Sequence, residues 1–292
     1  MTLSRFFVTL FFFPFAVFSA TLPAPDSAAT THADTEKTCH QYEHLTFGIL
    51  PFVSNEQLVI QFSPLTRYLS QKLGVPVRIE TAPDFAEFAK RTQQATHYDI
   101  LFTAPHFYPR ANSEAGYRLI ASVDSPGMWA VIVVPVKSNI HSVQDLRGKR
   151  LATAHPAALS TLLVKKHLRN AGINPETDLT LVATPSHNAS LLSSYHGVTD
   201  ASSLMQPPYT AASAQVRKNM RIIARTESTP HIPISVNPRI SKHCTDEIAT
   251  QLLRMKTTEE GRQALSHNRF SGFRKARAEE YERIRDLLTD PH

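Results

Sequence analysis

The sequence predicts an α/β protein of two lobes, each a mostly parallel sheet flanked by helices, with a two-strand hinge between them. Three observations carry this. Short apolar runs alternate with amphipathic stretches along the chain, the pattern of repeated strand–helix units. Two extended apolar segments, at 131–136 and 232–236, read as crossings from one lobe to the other and back. With 292 residues the chain is long enough to bury two cores. The expected division is a signal segment at 1–20, a flexible leader at 21–44, lobe one from 45–134 and 231–292, and lobe two from 135–230.

The start of the chain sets its compartment. Arg5 precedes an apolar run at 6–17, which has the length of a signal-peptide core and is too short for a membrane span. Small residues around Ser19 and Ala20 offer a cleavage point, and no cysteine follows for a lipid anchor there. The mature chain is expected to be exported and soluble. Residues 21–37 are rich in Ala, Thr, Pro and Asp without periodicity.

The elements then follow in order. Residues 45–50 form the first strand, and its loop holds Phe52 and Ser54, at a strand end where ligands of α/β sheets bind. Ser63 and Pro64 can open a helix whose apolar face is Leu65, Tyr68, Leu69 and Leu73, stopped by Gly74. Val75, Val77 and Ile79 alternate as a strand. Asp84 to Glu87 resembles a capping box before the next helix. Residues 98–102 are a buried strand, followed by His106, Phe107 and Tyr108 at a helix start. Strands at 117–123 and 128–136 come next, the second carrying Trp129, the chain's single tryptophan.

The stretch 142–161, SVQDLRGKRLATAHPAALST, organises the rest. It reads as an amphipathic turn, a reversal at Gly148, a strand at 150–154, and a helix from Leu159 closed by Gly172. The strand–helix loop holds His155, Ser160 and Thr161, where free N–H groups and the helix dipole favour an anion. A strand at 179–182, a loop with Ser186 and His187, a helix at 189–195 and a strand opening near Asp200 follow. Another strand at 221–224, the return crossing, and apolar helical sets around Ile248, Leu265 and Tyr281 complete the chain.

Composition narrows the function. Hydrophobic residues make up 42% and charged residues 19%, so the chain is globular. The net charge of +6 comes without a Lys/Arg run or a nucleic-acid module, which sets nucleic acid aside and leaves a mild attraction for anions. No G-x-S-x-G, P-loop, G-x-G-x-x-G, C-x-x-C or H-E-x-x-H occurs, so no catalytic role, metal or cofactor is expected. Cys39 and Cys244 are the only cysteines, and an even count in an exported chain suggests a disulfide. Cys39 lies just before the first strand of lobe one, and Cys244 begins the helix after the return to that lobe, so the two can meet.

Taken in order, FGILPF, YDILFTAPHFY, SVQDLRGKRLA, the loop with His187, VTDA at 198–201, PHIPISV and TTEEGRQAL resemble the phosphonate-binding-protein-like family. These are periplasmic substrate-binding components of ABC transporters for phosphonate, phosphite and phosphate. The resemblance spans about 45–288 and implies the type 2 periplasmic binding protein fold, a hinge that closes and an anion held between the lobes. Its implied partners are a small anionic solute and an ABC permease, with a membrane histidine kinase as the alternative reader of closure; the protein is expected to be a monomer. His187 matches the family's Ser-His before a helix and would donate to the anion, and Asp200 matches its acidic position. The family's Ser/Thr run at the second-lobe loop is altered: Pro156 is kept, but Ala157, Ala158 and Leu159 stand where hydroxyls are expected. The expected ligand-binding set is Ser160, Thr161, His187, Tyr108, Asp200, Trp129, Phe52 and Ser54.

Overall fold

The computed structural model describes residues 37–287. The expected signal segment and the leader up to residue 36 lie outside them. From residue 37 the leader is part of the fold. A 3₁₀ turn, Cys39–Gln41, precedes β1 (Leu45–Ile49), α1 (Asn55–Leu73), β2 (Val77–Glu80), α2 (Phe85–Gln94), β3 (Ile100–Phe102), α3 (Tyr108–Ala115) and β4 (Arg118–Val123). Then come β5 (Ala130–Pro135), β6 (Arg150–Thr153), α4 (Leu159–Asn170), β7 (Thr180–Ala183), α5 (His187–Tyr195) and β8 (Ala201–Met205). The chain finishes with α6 (Gln206–Ala211), α7 (Ala214–Lys218), β9 (Met220–Arg225), β10 (Pro233–Val236), α8 (Lys242–Arg254), α9 (Glu259–Ser266), β11 (Phe273–Arg274) and α10 (Glu279–Glu282).

Two sheets result, one in strand order β11-β4-β10-β3-β1-β2 and the other β7-β6-β8-β5-β9. Each is mixed. β1 runs parallel to β2 and β3, and β6 parallel to β7 and β8, while β10 and β5 are antiparallel to both their neighbours. The cause is the hinge. β5 and β10 are the first strands after each crossing, so they run away from the junction, whereas β1, β3, β6 and β8 run towards it. Their C-terminal ends, with the loops that follow, meet between the lobes.

The crossings lie a few residues before the positions expected. The apolar run of β5 is a strand of the second sheet: Ile132 and Val134 enter one core and Val131 and Val133 the other. Its continuous apolarity therefore reflects burial on both faces, and lobe two begins near residue 130, not 135. The two crossing segments pair once, Met128 with Thr229, through N–H···O contacts of 2.8 and 2.7 Å. Gly127 lies beside that bridge at φ 127°, and a Cβ there would come within 2.7 Å of the Thr229 carbonyl oxygen.

The C-terminal segment also departs from the expected division. After β11 leaves the first sheet, Tyr281, Ile284 and Leu287 pack into the core of lobe two with Tyr108, whose ring meets Tyr281 edge-on at 5.3 Å. The chain thus crosses between lobes a third time. Lobe one has its own core, built on Phe47, Phe62 and Phe102, with Phe88, Tyr98 and Tyr117 on the opposite face of the sheet. Cys39 and Cys244 are joined in a disulfide, fully buried in that first core.

Helix α1 starts nine residues before the expected start. Ser54 caps it by accepting the Gln57 N–H, and Pro64 lies inside the helix. The Ser63 hydroxyl turns back to the Val59 carbonyl at 2.6 Å, and the proline falls beside an exposed stretch, Val59 and Ile60. Solvent can satisfy the carbonyl freed there, which is how an interior proline is tolerated.

Candidate functional site

The loop after β6 is the centre of the site. The His155 carbonyl accepts the Ala158 N–H at 2.8 Å and the Thr161 hydroxyl at 3.0 Å, and its ring Nδ1 accepts the Ala157 N–H at 3.1 Å. These bonds wind residues 155–158 tightly into the start of α4. Ala158 occupies the N-cap with extended backbone and no side chain to cap the helix. By contrast Ser54, Asp84, Ser186, Ser241 and Thr258 cap α1, α2, α5, α8 and α9. The first N–H groups of α4 are thus left for another acceptor, at the positive end of the helix dipole. Ser160 is fully buried one residue into the helix, and its hydroxyl has no partner in the protein.

The loop after β7 closes one side. Thr184 donates its hydroxyl to the Thr153 carbonyl at 2.7 Å, bracing this loop against the end of β6. Ser186 caps α5, and His187 is its first residue. The Nδ1 of His187 is sealed from solvent without a protein partner. Burial pushes this imidazole down to about 4, so at neutral pH it is uncharged.

Lobe one supplies the facing wall through two direct contacts. Phe85, at the start of α2, stacks on the His155 ring at 5.1 Å and 10°. His106, in the 3₁₀ turn after β3, brings its Nε2 within 3.0 Å of the Ala157 carbonyl. His106 is 1% exposed, and burial pushes it down to about 4 as well. The lobes therefore touch through aromatic rings around the start of α4, Phe85 on His155 and His106 on the Ala157 carbonyl.

The expected residues divide. Ser160 and His187 lie at the starts of the helices that follow the neighbouring strands β6 and β7, and each has a sealed polar atom without a partner in the protein. Thr161 is adjacent, but its hydroxyl is taken by the Ala154 and His155 carbonyls, so it shapes the loop. Phe52 follows β1 and packs edge-on against Phe62, and Ser54 is occupied as the cap of α1. Trp129 sits at the junction end of the second sheet under the Arg225 guanidinium, 3.6 Å from the ring centroid. Two residues do not join the site. Tyr108 is 2% exposed and packs in the lobe-two core against Tyr281. Asp200 lies at the start of β8, the opposite end of the sheet, where its carboxylate accepts the Arg150 N–H at 2.7 Å. Leu159 also turns inward, into the core of lobe two, and the apolar surface at the junction is that of Phe85 against His155, with Phe107 edge-on to Phe85 at 6.4 Å. His106 and Phe85 were not among the expected residues. His106 lies two residues before Tyr108 in TAPHFYPRA, and the turn there decides which of the two reaches the start of α4.

Fold and site together define a two-lobed protein whose strand-end loops converge on a shared cleft. A family model described as ABC transporter, phosphonate, periplasmic substrate-binding protein matches residues 47–281. The phosphonates-binding periplasmic protein of Escherichia coli (strain K12) is 25% identical over 247 residues, covering 80% of this chain and 72% of that protein. PhnD1 from Prochlorococcus marinus, solved with methylphosphonate, superposes with a TM-score of 0.76 at 17% identity, covering 85% of this chain and 98% of that one. A binding-protein component of an ABC phosphonate transporter from Pseudomonas aeruginosa gives 0.73 at 18% identity, over 84% and 85% of the two chains. The chain belongs to the family of periplasmic substrate-binding proteins of ABC phosphonate transporters.

Proposed function

We propose that this protein captures a small, singly charged, partly apolar oxyanion between its lobes and presents it to a membrane permease from the periplasm. The observation that carries this reading is the start of α4. It combines an uncapped helix N-terminus with the unpartnered Ser160 hydroxyl, and His187 lies on the neighbouring loop. Ala157 and Ala158 stand where the family resemblance places hydroxyls, and each hydrogen bond to a charged group contributes about 1.5–3 kcal/mol. Losing two costs a tetrahedral dianion more than a monoanion, which needs fewer donors. The stacked Phe85 and His155 rings, with Phe107 nearby, add apolar surface for an organic substituent. Carboxylates and organic sulfur oxyanions are the classes that match.

A thermal-shift screen across alkylphosphonates, phosphite, phosphate, alkylsulfonates and carboxylates tests it. A ligand at 100 times its dissociation constant adds about 2.7 kcal/mol, a shift of roughly 5–10 °C for a protein of this size. Ser160→Ala and His187→Ala should each reduce the shift of the best monoanion. An alkylphosphonate giving the largest shift at micromolar concentration overturns the ligand assignment, and no shift with any anion overturns the cleft.

A further inference from the structure

The two nitrogens of His106 have different surroundings. Nε2 lies 3.0 Å from the Ala157 carbonyl, and a carbonyl only accepts, so Nε2 carries the ring proton. Nδ1 is sealed from solvent and has no hydrogen-bond partner in the protein. Burial keeps the ring from taking a second proton, since it pushes the group down to about 4 and no charged partner offsets it. Nδ1 is therefore a buried lone pair, which lowers its energy only by accepting from a donor. Its ring spans the two lobes at the Ala157 loop, three residues before the unpartnered Ser160 hydroxyl. The His106 ring thus lies where the lobes touch, and the Ser160 hydroxyl follows directly after the loop it touches.

We propose that His106 is a specificity residue of the cleft: its Nδ1 accepts a hydrogen bond from the ligand, so the preferred anion carries an O–H or N–H donor beside its charged group. This rests on the cleft reading above and narrows it. Hydroxy- and amino-substituted sulfonates and carboxylates satisfy both requirements, one end meeting the α4 N-terminus and Ser160, the other meeting Nδ1. A ligand without the donor leaves a buried acceptor unpaired, and a site built this way rejects such analogues strongly.

The test compares matched pairs by titration calorimetry on the full mature chain: 2-hydroxyethanesulfonate with ethanesulfonate, and lactate with propionate. The donor-bearing member should bind roughly 10- to 100-fold more tightly, from the cost of an unpaired buried acceptor. Two variants separate the two nitrogens. His106→Gln keeps a donor near Nε2 and removes the acceptor, so it should bring the members of each pair within about threefold of each other. His106→Asn keeps an acceptor near Nδ1 and loses the bond to Ala157, so it should weaken both members while preserving their ratio. Thermal melts of both variants check that they fold. If wild type binds both members of each pair equally, the His106 assignment is overturned and the anion cleft stands. If the discrimination survives in His106→Gln, another residue reads the donor and the assignment is equally overturned. If none of the four anions binds, the cleft reading falls and this inference with it.

Discussion

Removing the disulfide by Cys39→Ala/Cys244→Ala should destabilise the protein by a large amount. The bridge spans 205 positions, and every strand of the second sheet lies within the loop it closes. In the chain-entropy model a loop of that length constrains the unfolded chain by about 5 kcal/mol, an upper figure. The sulfurs hold residues 37–44 against the start of α8, where other bonds remain. The Cys39 N–H donates to Glu247 at 3.1 Å, the Tyr42 hydroxyl accepts the Ser241 N–H at 2.9 Å, and the Ser241 hydroxyl donates to the Lys37 carbonyl. Those contacts keep the folded geometry, so the loss acts mainly through the unfolded state and should reach about 3–5 kcal/mol, or a melting temperature roughly 6–20 °C lower. Denaturant and thermal unfolding of the variant and wild type measure it. Hydrogen exchange should speed up at the slowest-exchanging amides of both lobes, which open only on global unfolding, and also at residues 37–44 and the first turn of α8, where the bridge is anchored. A loss under about 1 kcal/mol, or two free thiols titrated in denatured, unreduced wild type, refutes the reasoning.

Three further outcomes are expected. His106, His187 and His231 are each held by burial near 4, below the unfolded value of about 6.5. The unfolded chain binds more protons in that window, so stability is full above pH 6.5 and falls as pH drops towards 4, by about 2 kcal/mol at pH 5 for His106 alone; equal denaturant midpoints at pH 7.5 and pH 5 would contradict this. Gly127→Ala forces a left-handed backbone and a clash with Thr229 at the hinge, so it should cost about 1–3 kcal/mol; an unchanged melting temperature argues against the hinge geometry. Asp200→Ala should lower stability by about 1 kcal/mol through the lost bond to the Arg150 N–H and leave anion affinity within twofold; a larger loss of affinity would return Asp200 to the cleft.

Local rules located most of the fold. Leu159 to Asn170 was legible as a helix, Asp84 as a cap, and the pairing of Cys39 with Cys244 from their places in the topology. Pro64 misled because the proline rule is conditional: an interior proline is tolerated where solvent can reach the freed carbonyl, and sequence does not say which side of α1 is wet. The run 131–136 misled because continuous apolarity marks burial on both faces, which a central strand and a crossing share. For the candidate site, the placement of the α4 loop beside the loop of His187 was legible because the C-terminal ends of neighbouring parallel strands lie at one edge of the sheet. Asp200 was misplaced because it precedes its strand, and the start of a parallel strand lies a sheet's length from its end. His106 against Tyr108 was undecidable locally, since one turn of backbone sends the first to the start of α4 and the second into the buried cluster around Tyr281.

The most direct measurement is side-chain ¹⁵N NMR of His187 during titration with methanesulfonate, propionate and methylphosphonate. An anion bound at the start of α4 favours the charged imidazole. A bound monoanion should shift the His187 ring nitrogens and raise the group above about 4, methylphosphonate should do so only at higher concentration, and Ser160→Ala should weaken the response. An anion that stabilises the protein while leaving the His187 nitrogens unmoved would show that it binds elsewhere and contradict the account.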